Sequence, residues 1–343
     1  MRVGRRLLHW LMLDTGTRHR VLRVGGSLAI VQAIILSAVA YLDGNLWLPG
    51  PAIGLLEHPG IFAVIVADFV VLWMLGYTTR RFLRVPGRLP VLSSNANRRF
   101  LRRFTTRGRA AILLQGPSLA LFLFCSGVGT LFWLLNAAQT ADPIRFYGRD
   151  VFDSAFHPAS YLTFRAFLWV SWGVIYPYAV VVFLAISGNL YLATRTLLRR
   201  GQLTYRPFHP DRCGGFSIVG DISFATIMML ATLYASLAVV IVTHHKINLL
   251  QLSGFVLISI ALLTLTYLVA WPITRFMWRR RRASQNNSYR RLLNDRDLFA
   301  AVQLTWVALA TSASPYAPRQ RVLINGVRAL PLVVAGLRLS AMV

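Results

Sequence analysis

Ile61–Tyr77 reads IFAVIVADFVVLWMLGY, and Asp68 is its one charged residue. At 1.5 Å per residue such a run crosses most of a hydrocarbon core of about 30 Å. Five further runs are comparably apolar: Gly25–Leu42, Ala110–Leu135, Ala166–Tyr191, Ile222–Thr243 and Leu252–Thr274. The whole chain agrees. Of its 343 residues 56% are hydrophobic and only 14% charged, against about 25% charged in soluble domains. The reading is an all-α integral membrane protein with six transmembrane helices.

Charge sets the expected orientation. The net charge is +26, carried by 36 Arg and a single lysine, Lys246. This preference for Arg over Lys is the signature of a GC-rich genome. The N-terminal arm, loop 79–109, region 195–221 and everything after Thr274 hold 33 of these 37 basic residues. The opposite side carries Arg145, Arg149, Arg165 and Lys246, beside Asp43, Glu57, Asp142, Asp150 and Asp153. The positive-inside rule therefore predicts both termini in the cytoplasm and an even number of spans. Trp47, Trp73, Trp133, Trp169 and Trp271 fall near predicted span ends, as an aromatic belt does.

Residues 1–24 read as a basic amphipathic segment at the headgroup level, without a cleavable signal pattern. Residues 25–277 form the membrane domain, with cytoplasmic loops 79–109 and 195–221. Residues 278–343 read as a cytoplasmic helical tail packed against the membrane domain or a neighbouring subunit, because Arg328, Pro331 and Arg338 interrupt its second apolar run. Cys125 lies in a span and Cys213 in a loop, so both are expected as free thiols. From Phe164 to Arg200 the pattern stays helical, with a kink expected at Pro177 and a lower half projecting into the cytoplasm. Asp221 reads as the N-cap of the fifth span.

Asp68 is the only acid inside a span, and an ionisable group there is costly unless paired, solvated or neutral. Gln32 lies at a similar depth on the first span. A Gln32–Asp68 hydrogen bond to a neutral carboxyl is one reading; a water-filled path lined by Asp68 is the other. Gln115 and Pro117 mark a kink or a hinge at the start of the third span. Ser126–Thr130 (SGVGT) offers a small-residue face that shapes such a path. Arg98, Arg99, Arg102 and Arg103 surround Phe100, Leu101 and Phe104, a pattern that suits a helix lying in an anionic leaflet. Arg279, Arg280, Arg281 and Arg282 abut the last span in the same way. Anchoring to lipid is the plain reading of both clusters; capture of a cytoplasmic anion such as a nucleotide is the alternative. No phosphate-binding glycine loop or RNA-recognition motif accompanies them, so specific nucleic-acid binding is not expected. His244 and His245, with His58 and His157, read as loop polarity.

Between the fourth and fifth spans stands FHPDRCGGF, Phe208–Phe216. In extended chain His209, Asp211 and Cys213 point to one side, a set that suits a metal or Cys–His chemistry. No further paired ligands support a metal, and no cofactor is implied. Arg212 with Gly214 and Gly215 suits an anion. The plain reading is an elbow: Pro207 and Pro210 stiffen it, Asp211 bonds local amides, and the glycines permit positive φ. His209–Gly215 resembles the HPD-x-x-GG element of uncharacterised bacterial multi-pass inner-membrane proteins. The resemblance implies a bacterial inner membrane and no activity.

The leading functional expectation is a homo-oligomeric channel, or a channel-like membrane effector, gated from the cytoplasm through helix four and the elbow. A proton-coupled secondary transporter using Asp68 is the alternative. A membrane enzyme centred on His209, Asp211 and Cys213, or a receptor, follows.

Overall fold

Inside hydrocarbon every backbone N–H and C=O must pair within its own segment or with a neighbour, so apolar runs of this length become helices. The computed structural model describes residues 17–44, 46, 59–92, 94–139, 145–146, 149–150, 158–206, 211–243, 257, 260, 264, 270–295, 298–310 and 314–340. It is helical throughout, apart from a two-residue antiparallel ribbon pairing Arg145–Phe146 with Arg149–Asp150.

In chain order the helices are α1 (Thr17–Leu42), α2 (Pro59–Leu83), α3 (Val85–Arg88), α4 (Asn95–Ile112), α5 (Pro117–Gln139), α6 (Pro158–Val170), α7 (Tyr176–Arg199), α8 (Ser217–Thr243), α9 (Trp271–Asp295), α10 (Leu298–Ala310) and α11 (Pro318–Ser340). A π turn, Ser171–Ile175, joins α6 to α7. Among the described residues five stretches are long and apolar enough to cross a membrane: Arg23–Leu42, Ile61–Leu83, Arg99–Leu131, Leu162–Arg199 and Ser217–Ser236. Most of the expected sixth span, Leu252–Thr274, lies outside the described residues, as do most of the N-terminal segment 1–24, Trp47 and the four loop histidines. Ile34, Leu123 and Phe124 are among the large apolar side chains exposed on the helices, as a lipid-facing surface requires.

The expected kink at Pro177 takes a specific form. Pro177 has no N–H, so the carbonyl of Gly173, four residues earlier, loses its helical donor. The Tyr176 N–H bonds instead to the Ser171 carbonyl, five residues back, which makes the π turn. The Ser126 hydroxyl of α5 donates to the freed Gly173 carbonyl. Ser126, Gly129, Thr130 and Trp133 form one stripe of α5 at helical spacing, which docks on this break and on α6 ahead of it. A Cβ on Gly129 would lie 2.1 Å from the Trp172 carbonyl oxygen. The Trp169 indole donates to Thr130 at 3.3 Å, and Trp133 donates to the Arg165 carbonyl at 2.9 Å. The SGVGT face is therefore packed against the broken helix, not left to shape an open path.

Three other expectations change. Pro117 does not bend a continuous span: Leu114 and Gly116 both have positive φ, the helix stops, and α5 starts with the proline in its first turn. Gln115 sits exposed in that break. The helix over 97–109 exists as α4, capped by Ser94, but its apolar face meets protein. Leu101 and Phe104 are buried, and Phe104 packs 4.9 Å from Phe82; lipid does not cover them. Asp221 is one turn inside α8, where it pairs with Arg81 at 3.2 Å and accepts from Gln320 at 2.9 Å. The C-terminal helical segment, expected to pack on the membrane domain or on a neighbouring subunit, does the former through α11. A Cβ on Gly220 would lie 2.1 Å from the Pro315 carbonyl. Beyond that point Ile324, Val327 and Val334 share one buried cluster with Ile227, Ala231, Tyr234 and Ala238 of α8. The two helices run side by side in the same direction, and Arg328 reaches back to Asn325 at 3.1 Å.

Gly127 has open space around its Cα, with nothing within 4 Å of a built Cβ. Gly129→Ala should therefore lower the melting temperature of the solubilised protein while Gly127→Ala leaves it nearly unchanged. Ser126→Ala should cost about 0.6–1.7 kcal/mol, the usual range for a hydrogen bond between membrane helices.

Candidate functional site

Asp68 is fully buried, at 0% exposure, and Gln32 at 1%. The hydrogen bond expected between them is present: Gln32 Nε2 donates to Asp68 Oδ2 at 3.1 Å. The sequence did not point to the third partner. Ser171 Oγ lies 2.6 Å from the same oxygen, carried there by the π turn, which swings one extra residue into the interior. Tyr176 brings its hydroxyl toward both Asp68 and Ser236, outside good hydrogen-bonding geometry to either. The cluster thus draws on α1, α2, the π turn, α7 and α8. Asp68 Oδ1 and Gln32 Oε1 are buried without a hydrogen-bond partner among the described residues. Among the described residues no basic side chain pairs with Asp68.

The Ser171 hydroxyl has one proton and two acceptors in reach, Asp68 Oδ2 and the Phe167 carbonyl at 3.1 Å. With Asp68 ionised, Ser171 donates to the carboxylate. With a proton on Oδ2, the carboxyl donates to Ser171 and Ser171 turns to Phe167. Gln32 Nε2 donates to Oδ2 in both cases. Rotation of one hydroxyl therefore keeps Oδ2 paired in either protonation state.

The second region is the elbow. His209 and Pro210 lie outside the described residues, with Pro207 and Phe208. Asp211 is its organising residue. Its Oδ1 accepts from the backbone N–H of Cys213 at 2.8 Å and Gly215 at 3.1 Å, and its Oδ2 from Ser217 at 3.2 Å. Asp211, not Asp221, thereby satisfies the amide at the start of α8. Arg212, Gly214 and Gly215 all have positive φ, at 55°, 64° and 90°. A Cβ on Gly214 would meet the Tyr205 ring at 2.5 Å, so glycine is needed there twice over. Arg212 has no carboxylate partner among the described residues.

Cys213 is buried at 1% exposure. Burial pushes its thiol up to about 12, and the Asp211 carboxylate adds to the effect. The thiolate needed by a nucleophile or a metal ligand is thus disfavoured at neutral pH. Among the described residues no three His, Cys, Asp or Glu side chains converge on a metal-sized space.

The two arginine clusters fare differently. Arg99, Arg102 and Arg103 are exposed along α4. On α9, Arg280 stacks over Phe276 and Arg282 over Trp278, at 5.6 and 5.2 Å to the ring centres. Compared with protein-family models, curated proteins and solved structures, the chain matches none. Function has to be argued from the residues.

Asp211→Ala removes the acceptor of three amides and is expected to cost about 1–3 kcal/mol, measured as a lower melting temperature. In a Cys125→Ser background, Cys213 should react with maleimide at pH 8 at least about tenfold more slowly in the folded protein than in denaturant.

Proposed function

We propose that this chain is a proton-coupled membrane transport protein in which Asp68 takes up and releases the proton. The supporting observation is the environment of that carboxyl. It is buried inside a single chain, has no basic partner among the described residues, and touches a hydroxyl that pairs Oδ2 in either protonation state. A proton carrier needs this tolerance; a purely structural carboxyl is served by one fixed set of donors. The site lies beside a helix broken by Pro177, and broken helices at mid-membrane are where transport folds expose backbone to substrates. The proposed setting is a bacterial inner membrane, with the arginine-rich end in the cytoplasm and both termini there.

A second reading, a homo-oligomeric channel gated from the cytoplasm, draws support from the elbow. Leu190 and Leu197 of α7 share one core with Cys213, Phe216 and Ile222, so a displacement of α7 passes directly to α8.

Purified protein in liposomes carrying an internal pH dye tests the first reading. Asp68→Asn is expected to abolish proton movement, a loss of at least about tenfold, and Ser171→Ala to slow it by less. Unchanged proton flux in Asp68→Asn would remove Asp68 from the mechanism. Single-channel steps that survive in Asp68→Asn would favour the channel.

A further inference from the structure

A cavity of about 460 Å³ opens between α7 and α9. On α7 the wall carries Tyr191, Arg195 and Arg199; on α9 it carries Trp271, Arg275 and Arg279. Each helix therefore presents an aromatic residue, then an arginine four residues on, then a second arginine four residues further. Two aromatic residues and four arginines thus line one cavity. The two arginines of each helix are separated by about 6 Å of helix rise.

None of the four arginines has a carboxylate partner among the described residues. Unneutralised guanidinium groups lining one cavity repel one another, and a bound anion relieves that repulsion. Guanidinium forks match phosphate oxygens. Four arginines, two on each helix, suit two phosphate groups better than one. The aromatic residues lie toward the membrane-crossing part of both helices, where amphipathic rings sit at the headgroup level. Of these six residues, only Trp271 and Arg279 stand out in the sequence; Arg195, Arg199 and Arg275 look like ordinary positive-inside charges until the helices are packed.

We propose that this cavity is a binding site for a ligand bearing two phosphate groups, supplied either by a diphosphate lipid headgroup of the inner leaflet or by a soluble diphosphate. It uses residues separate from Asp68 and does not depend on the transport reading.

The test uses delipidated full-length protein. The lipid arm offers phosphatidylcholine nanodiscs containing cardiolipin, with two phosphates, or phosphatidylglycerol, with one, at equal total charge. The soluble arm offers inorganic pyrophosphate or orthophosphate. Wild type should prefer the two-phosphate probe in at least one arm. Arg195→Gln/Arg275→Gln should weaken that binding at least about tenfold, whereas Arg102→Gln/Arg103→Gln on α4 should leave it unchanged. Preference for cardiolipin alone assigns the site to lipid; preference for pyrophosphate with the same sensitivity to substitution assigns it to a soluble ligand. Arg195→Lys/Arg275→Lys keeps the charge and guards against misfolding; it should lose the two-phosphate preference because the forks are gone. No preference in wild type, equal loss in the α4 variant, or undiminished preference in the Gln or Lys variant would overturn the proposal.

Discussion

The missing N–H of Pro177 sets the arrangement of the interior. It leaves the Gly173 carbonyl without a helical donor in a setting where water is scarce. Ser126 supplies the donor from α5, and this requires α5 to come close enough for Gly129 to touch the Trp172 carbonyl. The helix accommodates the missing bond with a π turn, and the π turn presents Ser171 to Asp68. One imino acid thus fixes the docking of α5, the shape of the fourth span and the second donor of the buried carboxyl. A substitution at Pro177 restores a regular helix on paper, yet it would withdraw Ser171 from the carboxyl and leave the Ser126 hydroxyl in competition for an occupied acceptor.

At the arginine-rich end a different constraint operates, because loops there have to pair their backbone groups while staying out of lipid. Three devices achieve it. Asp211 gathers the amides ahead of α8. The strand-like bridge Val91–Leu203 ties the α3–α4 loop to the α7–α8 loop, and Asn97 braces it by donating to Leu92 and Gln202 at 2.9 and 2.8 Å. Asp221 joins α2 to α11 through Arg81 and Gln320. These polar links surround a core that includes Phe82, Leu101, Phe104 and Phe216, so α7, the elbow and α4 form one packed body.

Much of this was legible beforehand. Hydropathy located the five described spans because length and apolarity are properties of a single segment. Depth counting paired Gln32 with Asp68 because both stand alone as polar residues on neighbouring helices. The elbow was legible in its local chemistry, since an aspartate ahead of a glycine pair has few other uses. What stayed hidden depends on residues far apart in sequence. Nothing local distinguishes Ser171 as a carboxyl partner, because only the π turn brings it inward. Asp211 and Asp221 both precede or open the same helix, and hydropathy does not say which of them caps it. Arg328 and Pro331 break the apolar run of α11, yet a helix that buries one face against α8 needs apolar residues on that face alone. The arginines of α7 and α9 are eighty residues apart in sequence, and only the packed structure brings them to one cavity.

The partnership between α8 and α11 has a consequence for biosynthesis. Gly220 and Pro315 touch in the finished fold, but nearly a hundred residues separate them. At ordinary translation rates α8 waits roughly 5–20 s for its neighbour. During that interval the Ile227–Ala238 face is covered by lipid or by a helper protein. Assembly of this domain therefore has two stages, in which inserted helices first settle independently and α11 then displaces whatever occupied its seat.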